Sequence, residues 1–417
     1  MVRAGRVALS VAWPQREMDE TTSGDGVRHA LVIVGNGPGE VAGWAVPIAA
    51  EARRWAQTAR RPLAVHLCLP PCQFASGQEA AAATAAGVFD RVLEPRATLR
   101  LGLGLHAWRP ADRVAVLHVG GDFWYSRRLA RRWRARAFAF VERAHIARWH
   151  QAYERIFVPT EAVAHRLRRR GVPAGKVTIT GDPRRDALEG VRDRLPPARG
   201  SGLRVAFLAG SRDTVFSAFF PFWVETAATL RAQVPNVEPV IVVSPFVSPE
   251  VRDALLARYR PRVDAAGVRV DGAGWAAIAG ADLVVTLPGT NTLELALLRV
   301  PSIVVLPTTF SVQIPAEGAI EWLSRIPGVG PALKLFLARQ YLRRAPYVAL
   351  PNMWARRRIM PELVGAVTPA EVAAEAARLL RDPAARRALA EALAAIPAQA
   401  GASRRIVETL GPVWEAA

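Results

Sequence analysis

Residues 281–306 read ADLVVTLPGTNTLELALLRVPSIVVL and decide the fold of the second half of the chain. Leu283–Thr286 is a short, β-branched apolar run, which predicts a buried parallel strand. A proline and a glycine end that strand, after which the pattern predicts a helix over Leu293–Arg299 and a second strand over Ser302–Leu306. The stretch is therefore a βαβ unit with a tight turn at the carboxyl end of a strand, where doubly wound sheets bind their ligands.

The start of this helix is suited to a nucleotide. Asn291 fits the N-cap position, and Glu294 three residues later completes a capping-box pattern. Free N–H groups at a helix start favour an anion such as a diphosphate. In the first turn, Glu294 can accept hydrogen bonds from two ribose hydroxyls. The alternative is that Glu294 only caps the helix.

A second loop of the same kind lies earlier in the chain. Gly210-Ser211-Arg212 follows a predicted strand, Arg204–Leu208, and precedes a predicted helix, Phe216–Ala232. Its N–H groups and the Arg212 guanidinium can hold a phosphate. With the Gly289–Glu294 turn, it predicts two anion-binding edges on one sheet, for which a nucleotide diphosphate is the natural ligand.

The first half of the chain also alternates strands with helices, which predicts a second parallel sheet. Its first strand, Ala30–Val34, leads into a glycine loop at Gly35–Gly43. This loop is not a dinucleotide fingerprint, because Glu40 occupies the third glycine position of GxGxxG and the second strand has no carboxylate at its end. The loop still permits close approach of a ligand, although a plain tight turn has the same spacing.

Two carboxylates in this half are candidate catalytic bases. Asp122 follows a predicted strand, Arg113–Val119, and would face the same cleft as the nucleotide if the two sheets face each other. There it can take the proton from an attacking hydroxyl. Glu40 is the second candidate. The alternative for Asp122 is an Asx-type turn residue after two glycines. His118 on the strand itself is interpreted as a packed core residue.

The length of 417 residues and the position of a Pro- and Gly-rich stretch predict two domains. We expect residues 1–26 to be a disordered extension or a start site placed too early, and residues 27–195 to form the first domain. A Pro- and Gly-rich linker over 195–202 leads to the second domain at 203–400. A last helix at 401–417 is expected to pack back on the first domain. No apolar run in the sequence is long enough to span a bilayer.

The charge of the chain predicts an anionic partner. The formal net charge is +19, and lysine occurs only at Lys176 and Lys334, so arginine supplies nearly all of the positive charge. No zinc-ligand spacing or nucleic-acid module accompanies it, which favours an anionic membrane surface over nucleic acid. The two cysteines, Cys68 and Cys72, are predicted to be reduced structural thiols in a cytosolic protein.

Two segments are candidates for contact with that membrane. Arg127–Arg136 is rich in arginine and is interleaved with Trp124, Tyr125 and Trp133, which suggests an interface with lipid headgroups. The alternative is an ordinary solvated face. Pro315–Tyr341 is apolar with few acids and is predicted to grip acyl chains, or else to form a buried helical hairpin.

Several segments, in this order, resemble the lipid-A-disaccharide synthase family: Asn36–Gly43, Phe157–Glu161, Gly210–Arg212, Gly289–Glu294, and Tyr347–Asn352 with Pro361–Leu363. Members of this family are inverting glycosyltransferases that join two acylated glucosamines in outer-membrane lipid synthesis. The resemblance implies a GT-B fold, with two Rossmann-like doubly wound domains facing a cleft. It also implies a UDP-sugar donor held by the second domain, a lipid acceptor, and neither metal nor other cofactor.

The resemblance assigns roles to individual residues. Asp122 stands where the family has its essential aspartate, and the first loop would contact substrate through Asn36, Gly37 and Gly39. The residues that would hold the nucleotide are Gly210, Ser211, Arg212, Gly289, Thr290, Asn291, Thr292, Glu294 and Asn352.

The first half departs from the family in two places. The family's first loop reads Gly-Glu-x-Ser-Gly-Asp, whereas Val41-Ala42-Gly43-Trp44 follows Gly39-Glu40 here. The family's aromatic Ser-Pro-x-x-Trp-Ala-Trp stretch is replaced by Phe140–Trp149. We therefore predict transfer from a UDP-sugar to a lipid or lipid-linked acceptor, not necessarily lipid A, at the cytoplasmic face of the membrane. The alternatives are a UDP-GlcNAc-type epimerase of the same fold and a non-catalytic UDP-sugar- or lipid-binding protein.

Overall fold

The computed structural model describes residues 28–72, 75–189, 202–272, 274, 277–278, 280–308, 346–396 and 399–415. They divide into two compact units, one within Met1–Glu189 and Ala398–Ala417 and the other within Gly190–Pro397. Three predicted features lie wholly or mostly outside the described residues: the extension at 1–26, the linker at 195–202 and the apolar segment at 315–341.

The first unit contains a seven-stranded parallel sheet. The strands lie in the order β3-β2-β1-β4-β5-β6-β7. They are β1 (His29–Val34), β2 (Leu63–Cys68), β3 (Arg91–Leu93), β4 (Arg113–His118), β5 (Arg136–Phe140), β6 (Arg155–Val158) and β7 (Val177–Ile179). The central strand β1 is buried from Ala30 to Val34, because helices cover both faces of a doubly wound sheet.

The second unit repeats this plan with six parallel strands. Their order is β10-β9-β8-β11-β12-β13. They are β8 (Leu203–Leu208), β9 (Val237–Val242), β10 (Arg269–Asp271), β11 (Leu283–Thr286), β12 (Ser302–Pro307) and β13 (Glu362–Gly365). The predicted fold class, two Rossmann-like doubly wound units, is confirmed.

Helices connect the strands in both units. The first unit has α1 (Pro38–Glu40), a π-helical turn (Val41–Ala45), α2 (Val46–Thr58), α3 (Glu79–Ala85), α4 (Pro95–Leu103), α5 (Phe123–Trp133), a 3-10 segment (Ala144–Ala152), α6 (Glu161–Arg169), a 3-10 turn (Ala174–Lys176) and α7 (Pro183–Leu188). The second has α8 (Asp213–Gln233), α9 (Pro249–Ala265), α10 (Thr290–Leu297), α11 (Leu350–Ala355), α12 (Pro369–Arg381) and α13 (Pro383–Ala394). The last helix, α14 (Ala402–Glu415), belongs to the first unit.

Trp414 anchors α14 in the first unit. Its side chain is fully buried, and its indole N–H donates to the carbonyl of Ala30 on β1 at 3.3 Å. The ring packs on Trp55 of α2 with 5.0 Å between centroids. Large aromatic side chains contribute much of the burial that stabilises a domain, so the end of the chain is part of this core.

Each sheet has one point where the strand order reverses. In the first sheet β1 pairs with both β2 and β4, and in the second β8 pairs with both β9 and β11. The loops that leave β1 and β4, or β8 and β11, diverge to opposite faces and open a crevice at the carboxyl edge. These four loops carry nearly all the site residues predicted from the sequence.

Candidate functional site

The loop after β8 presents a helix start at the switch point of the second unit. Arg212 is the N-cap residue of α8, and its side chain makes no cap hydrogen bond. Gly210 has φ 99°, and a Cβ at this position would lie 2.6 Å from a methyl carbon of Val215. Glycine is therefore required for the loop to approach α8 this closely.

The loop after β11 presents a second helix start beside the first. Gly289 is the N-cap residue, and α10 begins at Thr290. The predicted capping box of Asn291 and Glu294 is wrong: Asn291 is the second helical residue, and its amide donates to the hydroxyl of Thr286. Within the first turn, the Thr292 hydroxyl donates to the Gly289 carbonyl at 2.7 Å. Two sets of helix N–H groups thus meet at one edge of one sheet.

Glu294 is the fifth of the eight residues of α10 and is half-buried. Glu294 does not close a capping box, so the structure gives less support than the sequence to the alternative that Glu294 only caps the helix. Its predicted contact with ribose hydroxyls stays a prediction.

Asn352 is fully buried at the start of α11. Its carbonyl oxygen accepts from the N–H groups of Ile359 and Met360 at 2.8 and 2.9 Å. Its amide donates to the Met360 carbonyl at 2.7 Å and to Glu362 at 2.9 Å. These four bonds use the full hydrogen-bonding capacity of an asparagine side chain, so the geometry favours a structural role. Its predicted contact with the nucleotide stays a prediction.

Thr292 joins this segment to α10. Its hydroxyl oxygen accepts from the N–H of Leu350 at 3.2 Å, while Glu362 accepts from the N–H groups of Val348 and Ala349 at 3.0 and 2.7 Å. The segment that resembles the family at Tyr347–Asn352 is therefore tied to the start of α10. Sequence reasoning singled out both segments and did not reveal this link.

Glu40 organises the loop after β1 in the first unit. Its carboxylate accepts hydrogen bonds from the N–H groups of Asn36 at 2.9 Å and Gly37 at 3.0 Å. Gly39 precedes it within the short helix α1. A carboxylate that binds two backbone N–H groups is held in place. Glu40 as a base stays a prediction.

Asp122 lies in the neighbouring loop, after β4. It is exposed, and as the N-cap residue of α5 it accepts from the N–H of Trp124 at 2.7 Å. This bond to the N–H two residues later matches the Asx-type alternative raised by the sequence, and it leaves the other carboxylate oxygen at the surface. The loops of Asp122 and Asn36 touch, since a Cβ at Gly121 would lie 2.9 Å from the Asn36 amide nitrogen.

A buried hydrogen-bond chain lies beneath Asp122. The Ser126 hydroxyl, on α5, is 3.2 Å from His118 Nδ1 and 2.7 Å from the Tyr153 hydroxyl. Burial lowers the pKa of His118 to about 3, so the imidazole is neutral at physiological pH. These contacts fix the first turn of α5, and with it the backbone that carries Asp122.

The basic and aromatic segment is only partly as predicted. Trp124 is 39% exposed, but Trp133 is buried and donates its indole N–H to the Trp108 carbonyl, so its inclusion in a surface patch is wrong. The helix period places Trp133 on the inner face of α5. The end of the neighbouring helix and the residues just after it supply apolar surface that sequence reasoning missed, with Leu103 and Leu105 exposed by 52% and 67%. We call Leu99, Leu103, Leu105 and Trp124, with Arg128, Arg131 and Arg132, the α4–α5 surface.

A cavity of about 660 Å³ opens beside the start of α5. Its lining is basic and aromatic: Phe123, Ala144, His145, Ala147, Arg148, Trp149 and Arg170. The Arg127 guanidinium lies 4.0 Å from the centre of the Trp149 ring. Phe123 directly follows Asp122, so the cavity lies next to the candidate base. In the sequence, the only sign of this cavity is that part of its lining falls within Phe140–Trp149, where the chain departs from the family.

The second unit resembles a known protein family. Residues 201–310 match the family Lipid-A-disaccharide synthetase, a range that contains both helix starts at the switch point. Lipid-A-disaccharide synthase of Paraburkholderia phytofirmans is 31% identical over 54% of this chain and 52% of its own length. That of Anaeromyxobacter dehalogenans strain 2CP-1 is 31% identical over 51% of this chain and 49% of its own length.

The chain is similar to lipid-A-disaccharide synthases over part of its length. It spans about half the length of the curated relatives it matches. Both departures from the family pattern noted in the sequence lie in the first unit, outside the residues that the family model matches.

Solved structures resemble the chain over both units. A putative UDP-N-acetylglucosamine 2-epimerase from Listeria monocytogenes matches with a TM-score of 0.58 and 15% identity, over 93% of this chain and 97% of its own. UDP-GlcNAc 2-epimerase from Neisseria meningitidis, bound to UDP-GlcNAc, matches with a TM-score of 0.57 and 15% identity, over 92% and 100%. At this identity the likeness shows the fold alone, and that fold is the GT-B arrangement of two Rossmann-like units.

Proposed function

We propose that this protein is an inverting glycosyltransferase that moves a sugar from a UDP-sugar to a lipid or lipid-linked acceptor. The observation that carries the proposal is the coincidence of two features in the second unit. Residues 201–310 match the synthase family, and the same residues contain the two helix starts that meet at the switch point of the sheet.

The donor half of the reaction belongs to the second unit. The first turns of α8, after Arg212, and of α10, after Gly289, offer N–H groups to the diphosphate, and Arg212 stabilises the charge that develops on UDP as it leaves. Glu294 accepts hydrogen bonds from the ribose hydroxyls. Thr292 and Asn352 support the site indirectly. Thr292 joins α10 to the start of α11, and Asn352 joins α11 to Met360 and Glu362.

Asp122 serves the acceptor half. The acceptor hydroxyl oxygen forms a bond to the anomeric carbon on the face opposite UDP, the bond from that carbon to the UDP oxygen breaks, and the hydroxyl proton passes to Asp122. One displacement inverts the anomeric configuration. The exposed second oxygen of Asp122 and the adjacent cavity support this role. Asn36, Gly37 and Gly39 border the same edge, and Glu40 keeps their loop in shape.

The acceptor reaches the enzyme at the cytoplasmic face of a membrane. The α4–α5 surface supports this proposal, because it combines exposed leucines and a tryptophan with arginines. Such a surface inserts apolar side chains among lipids while its cations contact anionic headgroups. Among the described helices, none has both the length and the apolar character that crossing a bilayer requires.

The test is an assay of the purified protein with several UDP-sugars and a total bacterial lipid extract. UDP release that needs the extract, with a lipid product heavier by one sugar residue, supports the proposal. A new UDP-sugar formed without lipid would instead favour the epimerase that shares this fold. UDP binding with neither product would indicate a non-catalytic binding protein.

A further inference from the structure

A fully buried arginine lies in the first unit, outside the residues predicted from the sequence. Arg184, on α7, has no exposed side-chain surface. Its guanidinium forms an ion pair with Glu142, lies 3.3 Å from Asp182 Oδ1, and stacks 4.7 Å from the centre of the Trp44 ring. The Trp44 indole N–H donates to the same Asp182 oxygen at 3.1 Å. A buried guanidinium needs such partners to offset its loss of hydration.

The two segments that depart from the family meet at this arginine. Trp44 belongs to the first departure and Phe140 to the second, and their rings pack edge to face with 5.2 Å between centroids. A Cβ at Gly43 would lie 2.6 Å from Arg184 Cγ, so the π-helical turn at Val41–Ala45 has a glycine where it passes the arginine. π-Helical turns occur frequently at functional sites. The departures therefore form one packed cluster.

The cluster presents one carboxylate at the edge that carries Asp122. Glu142 follows β5 by two residues, and β5 is the parallel neighbour of β4, whose loop carries Asp122. One oxygen of Glu142 pairs with Arg184, while the other is neither buried nor hydrogen-bonded within the described residues. Ala144, two residues further on, lines the cavity beside Phe123. Glu142 is thus oriented in advance, with one acceptor oxygen open at the edge.

A fixed carboxylate with a free oxygen is suited to sugar hydroxyls, which donate hydrogen bonds to it. We infer that Glu142 binds a hydroxyl group of a sugar in the acceptor headgroup, and that Arg184 is its positioning residue. This inference rests on the proposed function and extends it to acceptor specificity. It assigns the departures from the family to recognition of an acceptor, while Asp122 remains the base.

The experiment measures UDP release from UDP-N-acetylglucosamine while a total bacterial lipid extract is titrated. In Glu142→Gln, the extract concentration that gives half the maximal rate should rise about 10- to 100-fold, because a charge-assisted hydrogen bond is lost. The maximal rate and the half-saturating concentration of the UDP-sugar should stay near those of the wild type. The control is Glu154→Gln, which breaks an exposed ion pair with Arg136 at the amino end of the strands and should change neither value.

Arg184→Lys should raise the same concentration, and adding Glu142→Gln to it should have little further effect, since the two residues act as one. Thermal melting and UDP binding of each variant report on folding, and Glu142→Gln is sufficient if the arginine variant does not fold. An unchanged extract requirement in Glu142→Gln, beside an active wild type, overturns the inference. A higher extract requirement that comes with a lower melting temperature and weaker UDP binding also overturns the inference, because it reports damage to the fold. If UDP-N-acetylglucosamine gives no release, the titration uses another UDP-sugar, and no release from the wild type with any UDP-sugar overturns the proposed function and this inference with it.

Discussion

The carboxylate of Glu40 lies against the backbone of Gly120, so closely that a Cβ on the glycine would be 1.9 Å from Glu40 Oε2. This contact joins the loops that leave β1 and β4 at the switch point of the first unit. The loop that carries Asp122 is therefore held by the loop that carries Asn36 and Gly37.

Gly120→Ala tests this contact. The added methyl group should displace Glu40 and break its hydrogen bonds to two backbone N–H groups, which costs about 1–3 kcal/mol of unfolding free energy. Activity should fall by more than the stability loss explains, since Asp122 moves with the loop. The matched control is Gly175→Ala, where a Cβ would meet no atom within 4 Å. Chemical denaturation checks the prediction, and equal stability of the two variants would contradict it.

Glu294→Ala should weaken UDP binding by about 1.5–3 kcal/mol, because a carboxylate that pairs with ribose hydroxyls is removed. No loss of a helix cap adds to this effect, since Glu294 is not part of a capping box. The measurement is calorimetric titration with UDP, with Glu391→Ala on an exposed face of α13 as the control. UDP affinity equal to that of the wild type would remove Glu294 from the donor site.

Asn352→Ala should lower the stability of the second unit even without a ligand. The substitution leaves the N–H groups of Ile359 and Met360 buried and without a partner, at a cost of about 1–3 kcal/mol for each such group. Thermal melting without UDP measures this loss. If melting is unchanged while UDP binding is lost, Asn352 contacts the nucleotide directly and the structural role is wrong.

The α4–α5 surface should bind anionic vesicles through two separable contributions. Replacing Arg128, Arg131 and Arg132 with Ser should remove the part of the binding that falls with ionic strength, at about 1 kcal/mol per arginine. Replacing Leu103, Leu105 and Trp124 with Ser should remove the part that salt does not screen.

Vesicle co-sedimentation across a salt series measures both parts, with Arg166, Arg168 and Arg169 of α6 replaced by Ser as the control for charge. These arginines are exposed in the same unit. If the control set weakens binding as much as the α4–α5 set does, net charge rather than this surface attracts the protein to lipid.

The sequence predicts those parts of the fold that depend on local signals. Leu283–Thr286 is a strand with the predicted bounds, because a short β-branched apolar run before a proline and a glycine determines it. β5 was not predicted, because Arg136 at its start continues a run of arginines that obscures the apolar residues after it. β13 is not predicted either, because Glu362–Gly365 is a strand through its pairing with β12, which the local sequence does not reveal.

The candidate site divides in the same way. The glycine loops at the ends of β8 and β11 are local, so sequence reasoning finds the helix starts there. The sequence places the start of α10 too late, because its pattern assigns the N-cap to Asn291, whereas Gly289 is the N-cap residue and the Asn291 amide donates to Thr286. The Arg184 cluster could not be predicted, because Trp44 and Asp182 are 138 residues apart and only the folded sheet brings them together.

The most direct test of the account is the maximal rate of UDP release by Asp122→Asn in the presence of lipid extract. Asparagine is also a good N-cap residue, so α5 should keep its start while the base is lost. The rate should fall by about two to four orders of magnitude with UDP affinity unchanged. The control Asp382→Asn alters the N-cap of α13 and should keep the wild-type rate. A normal rate in Asp122→Asn would contradict the account and make Glu40 the next candidate for the base.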